Sequence, residues 1–260
     1  MHRARKRFGQ HFLHDQNVIE SILRSINPRP GENLIEIGPG QGALTYPLLK
    51  VCHELIAIEL DRDLVPVLKR ESSAYGKLEV INADILEFDL ASLGADKKFR
   101  LVGNLPYNIS TPLMFHMLES MAQIEDMHFM VQKEVALRIV AGPGNGNYGR
   151  LSVMLQCRCE CQYLFDVAPG SFTPPPRVDS AVVRMIPLAE PEHDLGDEAN
   201  FAAIVQTAFG QRRKTISNSL KTLVSREVIE ACDIDPGLRA ENLTIGDFAR
   251  LSRASALPGL

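Results

Sequence analysis

Asn104, Leu105, Pro106 and Tyr107 form the tetrapeptide NLPY, a set of groups suited to handling an aromatic amine. The exocyclic amine of adenine is a poor nucleophile, because its lone pair is delocalised into the ring. If the Asn104 Oδ1 and the Leu105 carbonyl each accept one N–H, that nitrogen can pyramidalise and aim its lone pair at an electrophile. This is orientation and electrostatic help, and it requires no strong base. The Tyr107 ring can stack on the base, and Pro106 stiffens the turn. A plainer reading of the same residues is a turn carrying a core tyrosine. Phe172, in SFTPPPRVDSA, precedes a proline run that holds the chain extended. It either closes the other face of a flipped base or tucks onto a sheet as a loop hydrophobe.

A second cluster begins at LIEIGPGQG, Leu34 to Gly42, where an apolar run enters Gly38, Gly40 and Gly42. Glycine lets a backbone turn sharply and approach a ligand with no Cβ in the way. The third glycine comes too early for the G-x-G-x-x-G spacing of nicotinamide enzymes, which argues against a dinucleotide. Glu59, in IAIELD, ends the next apolar run and stands where an acid accepts hydrogen bonds from ribose hydroxyls. Asp84, followed by Ile85 in NADIL, ends the run after that and is placed to reach an adenine amino group. Acids beside a glycine turn suit a nucleoside without phosphates, since an acidic lining repels a polyphosphate. S-adenosylmethionine is such a ligand. Asp61 is expected in solvent.

The elements that must position these groups alternate. Apolar runs at Leu34 to Ile37, Glu54 to Leu60, Leu78 to Ile81, Phe99 to Val102 and Met127 to Val131 read as buried strands. Helical patterns lie around Leu44 to Leu49, Leu64 to Arg70, Pro112 to Leu118 and Lys133 to Val140. Such alternation implies a parallel sheet covered on both faces, with ligands at the carboxyl ends of its strands. Ahead of it, Asp15 is a good N-cap for a helix striped by Val18, Ile19, Ile22, Leu23 and Ile26, which NPRPG then breaks. The segment GPGNGNYG, Gly142 to Gly149, reads as a flexible loop, either a lip beside a site or a connector. Leu151 to Phe165 reads as helix then strand, and Val178 to Ile186 as a strand, so the two late strands form an antiparallel edge. After Pro187 the polar, acidic LAEPEHDLGDEAN reads as a linker. Beyond it Phe201, Ile204, Val205, Ala208 and Phe209, then Ile216, Leu220 and Leu223, recur at helical intervals. The expected division is therefore residues 1–187 and a small all-helical domain at 188–260.

Length and composition set limits on all of this. The chain has 260 residues, 45% hydrophobic and 23% charged, with mean hydropathy -0.05, which excludes disordered and fibrous classes. No apolar run approaches the ~20 residues of a membrane-spanning helix, and the basic start lacks the apolar stretch of a signal peptide, so a cytoplasmic protein is expected. Five cysteines do not read as a disulfide framework. Cys157, Cys159 and Cys161 lack a second ligand pair at zinc spacing, and His11 and His14 are isolated, so no metal is expected. No Pro-Cys pair occurs, which removes the usual setting of a cysteine nucleophile acting on cytosine. The net charge of -4 argues against a polyanion partner on average. The cations are nevertheless segregated, at Arg3, Arg5, Lys6 and Arg7, and again at Arg212, Arg213, Lys214 and Lys221, where local fields can attract phosphate.

Taken in order, KRFGQHFLHD, EIGPGQGALT, IELD, NADIL, VGNLPYNIST, VQKEVALRI, YGRLSVM, SFTPPPRVDSAVVR and FGQRRKTISNSLK span nearly the whole chain. In this order they resemble the bacterial ribosomal RNA small-subunit adenine N6,N6-dimethyltransferases. The resemblance implies a Rossmann-like class I S-adenosylmethionine-dependent methyltransferase sheet with a helical C-terminal domain. It implies transfer of methyl groups to N6 of two adjacent adenines in a 3'-terminal hairpin of 16S rRNA, in small-subunit biogenesis. It places His11, Leu13, Gly38, Gly40, Glu59, Asp84, Ile85 and Asn104 at the cofactor, and Asn104, Leu105, Pro106, Tyr107 and Phe172 around the target base. His11 stands where many members carry asparagine, so the contact expected there comes from its backbone. Arg212, Arg213, Lys214 and Lys221 fall in the family's rRNA-contacting domain. A monomer acting on 16S rRNA in the small subunit or its assembly intermediate is expected. The rivals are a 23S rRNA dimethylase of the antibiotic-resistance type and a mainly non-catalytic assembly factor that binds RNA.

Overall fold

The structure, a computed structural model, describes residues 11–255. The expected basic group Arg3, Arg5, Lys6 and Arg7 lies outside the described residues. The chain forms two compact units, one running through Ala136 and including Glu160–Pro187, the other comprising Leu137–Cys159 and the chain from Leu188 onward. One segment departs from the expected division at 187/188. Leu137–Cys159 belongs with the C-terminal helices because Tyr148, Val153 and Cys157 are buried in the same apolar cluster as Phe201, Ile204, Ile216 and Phe248.

The first unit is built on a sheet of seven strands. In chain order they are β2 (Leu34–Ile37), β3 (Glu54–Glu59), β4 (Lys77–Asn82), β5 (Phe99–Asn104), β6 (Ile124–Gln132), β7 (Cys159–Val167) and β9 (Ser180–Pro187). Across the sheet the order is β4-β3-β2-β5-β6-β9-β7. The pairs β4/β3, β3/β2, β2/β5 and β5/β6 are parallel, and β9 runs antiparallel to β6. All four residues of β2 are buried, as expected of a strand covered on both faces. The helices α2 (Thr45–Cys52), α3 (Val65–Ser72), α4 (Ser110–Glu119) and α5 (Lys133–Val140) follow β2, β3, β5 and β6. Because β3 and β5 lie on opposite sides of β2, the connections diverge there and open a crevice at the strands' carboxyl ends.

Helix α1 (Gln16–Ile26) starts where Asp15 Oδ1 accepts the Asn17 and Val18 N–H groups at 2.9 and 3.4 Å. It ends at Asn27, left-handed at φ 48°. Two short strands add a ribbon outside the main sheet: β1 (Phe12–Leu13) pairs antiparallel with β8 (Phe172–Thr173), Phe12 opposite Thr173 and Leu13 opposite Phe172. The His14 N–H extends the pairing to the Ser171 carbonyl at 2.9 Å.

The second unit is helical, with α6 (Arg150–Gln156), α7 (Glu198–Gly210), α8 (Ile216–Ser219), α9 (Arg226–Ala231) and α10 (Ile245–Ala254). Asp197 caps α7 and Thr244 caps α10 through their side chains. GPGNGNYG is part of this packing: Tyr148 is fully buried, and the Gly144 N–H donates to Glu241 O at 2.7 Å. Among the described residues no helix is long and apolar enough to cross a membrane.

Candidate active site

The crevice at the carboxyl ends of β2 to β5 holds a cavity lined by the glycine turn, Glu59, Asp84, Ile85 and the NLPY segment, with His11 and Leu13 from the N-terminal side. Three backbone features shape it. Gly38, Gly40 and Gly42 are left-handed at φ 66°, 57° and 85°, a conformation costly for any residue with a Cβ. A Cβ on Gly40 would also lie 3.3 Å from the Phe12 ring. Further back, a Cβ on Gly103 would come within 2.5 Å of the Ile37 carbonyl, so the glycine before Asn104 lets β5 lie close to β2.

Glu59 organises the turn. Its Oε2 accepts the Gly40 N–H at 3.1 Å and its Oε1 the Asp61 N–H at 2.8 Å. Burial raises its pKa above the ordinary carboxylate value, and these amide hydrogen bonds act against that rise. Each carboxylate oxygen retains acceptor capacity beyond its one amide. Asp84 is half-buried, with Oδ1 accepting the Leu86 N–H at 3.0 Å. Asp61, expected in solvent, is 1% exposed. Glu36 was not singled out from the sequence and also lines the cavity. It is 2% exposed, and burial pushes its carboxyl up to about 8, against the Thr45 hydroxyl hydrogen bond that pulls it down. The available signal was a carboxylate inside the otherwise apolar strand LIEI.

The orientation of Asn104 is fixed by its neighbour. Its Nδ2 donates to the His11 carbonyl at 3.0 Å; a carbonyl only accepts, so the amide must present its nitrogen there and turn Oδ1 away. Among the described residues Oδ1 has no hydrogen-bond donor. The Leu105 N–H is bound to Met130 O at 3.0 Å. The Tyr107 hydroxyl shares a 2.7 Å hydrogen bond with Ser180 Oγ, and burial raises its pKa. His11 completes this wall: its ring centroid is 5.3 Å from that of Tyr107, and its Nδ1 lies 2.7 Å from Pro174 O, so Nδ1 carries the proton. The His11 side chain is itself anchored at Pro174, a contact that no sequence spacing signals because the partners are 163 residues apart.

Phe172 departs from its place beside the base. It is 2% exposed, packs in the cluster containing Leu13, Val167 and Val182, and is not among the residues lining the cavity. The reading as a hydrophobe tucked onto the sheet describes it. In the second unit, Arg213, Lys214 and Lys221 are exposed. Arg212 is spent within that unit: its Nη2 donates to the Gly146 and Tyr148 carbonyls at 3.0 and 3.1 Å and pairs with Glu241 at 3.2 Å. Cys157 and Cys159 are buried, and burial pushes their thiols up to about 11 and about 12, which leaves them inert. Among the described residues no cluster of His, Cys, Asp and Glu could hold a metal ion.

Residues 1–256 match the family described as ribosomal RNA adenine dimethylase. The chain belongs to that family. Its sequence is 55% identical over 260 residues to the ribosomal RNA small subunit methyltransferase A of Pseudomonas aeruginosa, covering 99% of this chain and 97% of the relative. Its fold is similar to a dimethyladenosine transferase from Plasmodium falciparum, with a TM-score of 0.79 and 28% identity over 93% of this chain and 96% of that one. It is similar too to the 23S rRNA methyltransferase ErmE, with a TM-score of 0.72 and 28% identity over 95% of this chain and all of that one. The class I α/β methyltransferase fold, S-adenosylmethionine as cofactor and an rRNA-modifying enzyme, all expected of the sequence, are those of this rRNA adenine dimethylase family. The cavity suits that cofactor, since its glycine turn admits close backbone approach and its buried acids retain acceptor positions.

Proposed function

We propose that this chain dimethylates N6 of two adjacent adenines in a 3'-terminal hairpin of 16S rRNA, acting as a cytoplasmic monomer during small-subunit assembly. The single observation that carries the reading is the Asn104 amide, whose nitrogen is committed to His11 and whose Oδ1 is thereby aimed as an acceptor. With a flipped adenine in the cavity, Asn104 Oδ1 and the Leu105 carbonyl each take one N–H of the exocyclic amine. Those two bonds oppose delocalisation and direct the nitrogen lone pair, the kind of orientation that lowers a barrier without a base. Tyr107, held by Ser180 and flanked by His11, offers its ring to the base. Glu59 and Asp84 hold the ribose and adenine of the cofactor, with Gly38, Gly40, Leu13 and Ile85 forming its cradle. S-adenosylmethionine supplies the methyl group on a positively charged sulfur. After each transfer the amine's spare proton passes to water. Arg213, Lys214 and Lys221 contribute phosphate contacts.

The small-subunit substrate is favoured over the large because relatives that are 49% to 55% identical carry small-subunit names, against 28% identity to ErmE. Mass spectrometry of rRNA nucleosides, after incubating purified protein with labelled S-adenosylmethionine and undermethylated small subunits, tests the reading. Dimethyladenosine at the paired sites is expected. Label in large-subunit rRNA only would reject it.

A further inference from the structure

The segment Pro174–Asp179, exposed except for the buried Pro176, is anchored at both ends to groups of the site. At one end the Pro174 carbonyl takes the His11 Nδ1–H at 2.7 Å, directly after Thr173, which pairs with Phe12. At the other, Asp179 O accepts the Lys133 N–H at 2.9 Å, directly before Ser180, which holds the Tyr107 hydroxyl at 2.7 Å. Between these anchors Pro174, Pro175 and Pro176 limit the backbone, and Arg177 and Val178 stand in solvent, Val178 at 45% exposure. Arg177 is three residues from Pro174 and three from Ser180, so its Cα lies within about 11 Å of the Cα of each. Among the described residues Arg177 has no ion-pair or hydrogen-bond partner. The nearby Lys133 is neutralised by Asp166 at 2.7 Å, and Tyr163 donates to the same carboxylate.

We propose that Arg177 is an RNA phosphate contact, gripping the backbone beside the adenine that enters between Tyr107 and Asn104. The inference rests on the RNA-methylating reading above and adds a contact to it. A nucleotide whose base is in the cavity must carry its phosphates past this segment, and a guanidinium on a stiff segment loses little freedom in binding one. Asp179 stands two residues away on the same segment and opposes the attraction. The contact therefore takes the form of a bidentate hydrogen-bonded pair at one phosphate, without a diffuse positive field.

The test is steady-state kinetics of the full chain on undermethylated small subunits across a salt series, for wild type, Arg177→Gln and Arg177→Lys. For Arg177→Gln we expect KM for subunits to rise roughly tenfold, the worth of one charge-assisted hydrogen bond, with kcat little changed. The slope of log(kcat/KM) against log salt should shrink by about 0.7 to 0.9, one phosphate's share of released counterions. Arg177→Lys should recover most of the slope. A Gln variant with wild-type KM and slope overturns the proposal, as does a fall in kcat with an unchanged slope, which would make Arg177 a prop for the segment. If wild type methylates nothing on these subunits, the functional reading fails, a result visible before any variant is compared.

Discussion

At the carboxyl ends of β2 and β3 and just beyond β4, Glu36, Glu59 and Asp84 surround a cavity, and their oxygens are only partly occupied. Toward the amino ends of β5 and β6, Asp126 is fully used. Arg100 grips it with Nε to Oδ1 at 3.0 Å and Nη2 to Oδ2 at 2.9 Å, and binds Glu32 at 2.7 Å and the Ile26 carbonyl at 2.6 Å. Arg184 stands 3.7 Å from the same carboxylate and His128 3.7 Å from its other oxygen. Both ends bury carboxylates, and the difference lies in the partners. Backbone amides and one hydroxyl satisfy the first group without saturating it, whereas a guanidinium closes the second. One end is held ready for a ligand's hydroxyls and amines, and the other ties β5, β6 and the chain after α1 together.

If that division holds, substitutions at the two ends must separate activity from stability. The largest effect is expected from Asn104→Ala. It removes the acceptor that turns the amine, so the methyl-transfer rate should fall by roughly 10²- to 10³-fold or more, the scale of losing one preorganised hydrogen bond at a reacting centre. Single-turnover assays at saturating cofactor read this directly. A loss below tenfold would remove Asn104 from its assigned role. Arg100→Leu is the counterpart at the other end: it strands Asp126, whose side chain is 6% exposed, at a cost of about 3–5 kcal/mol. The melting temperature should drop by roughly 10 °C, while kcat measured well below the transition stays within a few-fold of wild type. A variant that melts normally but turns over slowly would reverse the comparison.

The sequence made the open end far more legible than the closed one, for physical reasons. Strands buried on both faces need continuous apolar runs, so β2, β3 and β5 were visible, and residues that end such runs before a turn fall at the sheet's carboxyl edge, which exposed Glu59, Asp84 and Asn104. Alternation also located α2 to α5. What distance in the chain conceals is pairing. The β1/β8 ribbon joins strands of two residues each, too short for any period, and it carries both the His11 anchor and the burial of Phe172. Arg212 looked like its basic neighbours because charge alone does not show that a guanidinium will cap carbonyls 64 and 66 residues away. The Arg100 network was missed for the same reason: a single arginine at a strand start has no local signature.

Titration sharpens the contrast, because the two ends respond to pH in opposite directions. Glu36 in the folded chain keeps its proton up to about 8, against 4.5 for a free carboxyl. Between those values the folded state binds the extra proton, so its contribution to stability declines as pH rises from about 4.5 to about 8. Glu36→Gln retains an acceptor for the Thr45 hydroxyl and cannot ionise. Its melting temperature should therefore change less than that of wild type between pH 5 and pH 8.5, by several degrees. Parallel curves for the two proteins would place the alkaline limb elsewhere.

His128 sets the smaller, acid limb. Burial lowers its pKa from 6.5 to about 4, with Arg100 and Arg184 adding to the drop and Asp126 opposing it. Between 6.5 and about 4 the unfolded chain holds a proton that the folded chain refuses, so stability is full above 6.5 and drains as pH falls toward 4. His128→Leu removes the titrating ring while keeping an apolar side chain of similar bulk, so urea unfolding between pH 7 and pH 4.5 should show a shallower loss than wild type, by roughly 1–2 kcal/mol. The hydrogen-bonded pair of Arg100 and Asp126 remains in that variant, so the substitution removes the imidazole alone. An unaltered acid limb would show that the imidazole is not its source.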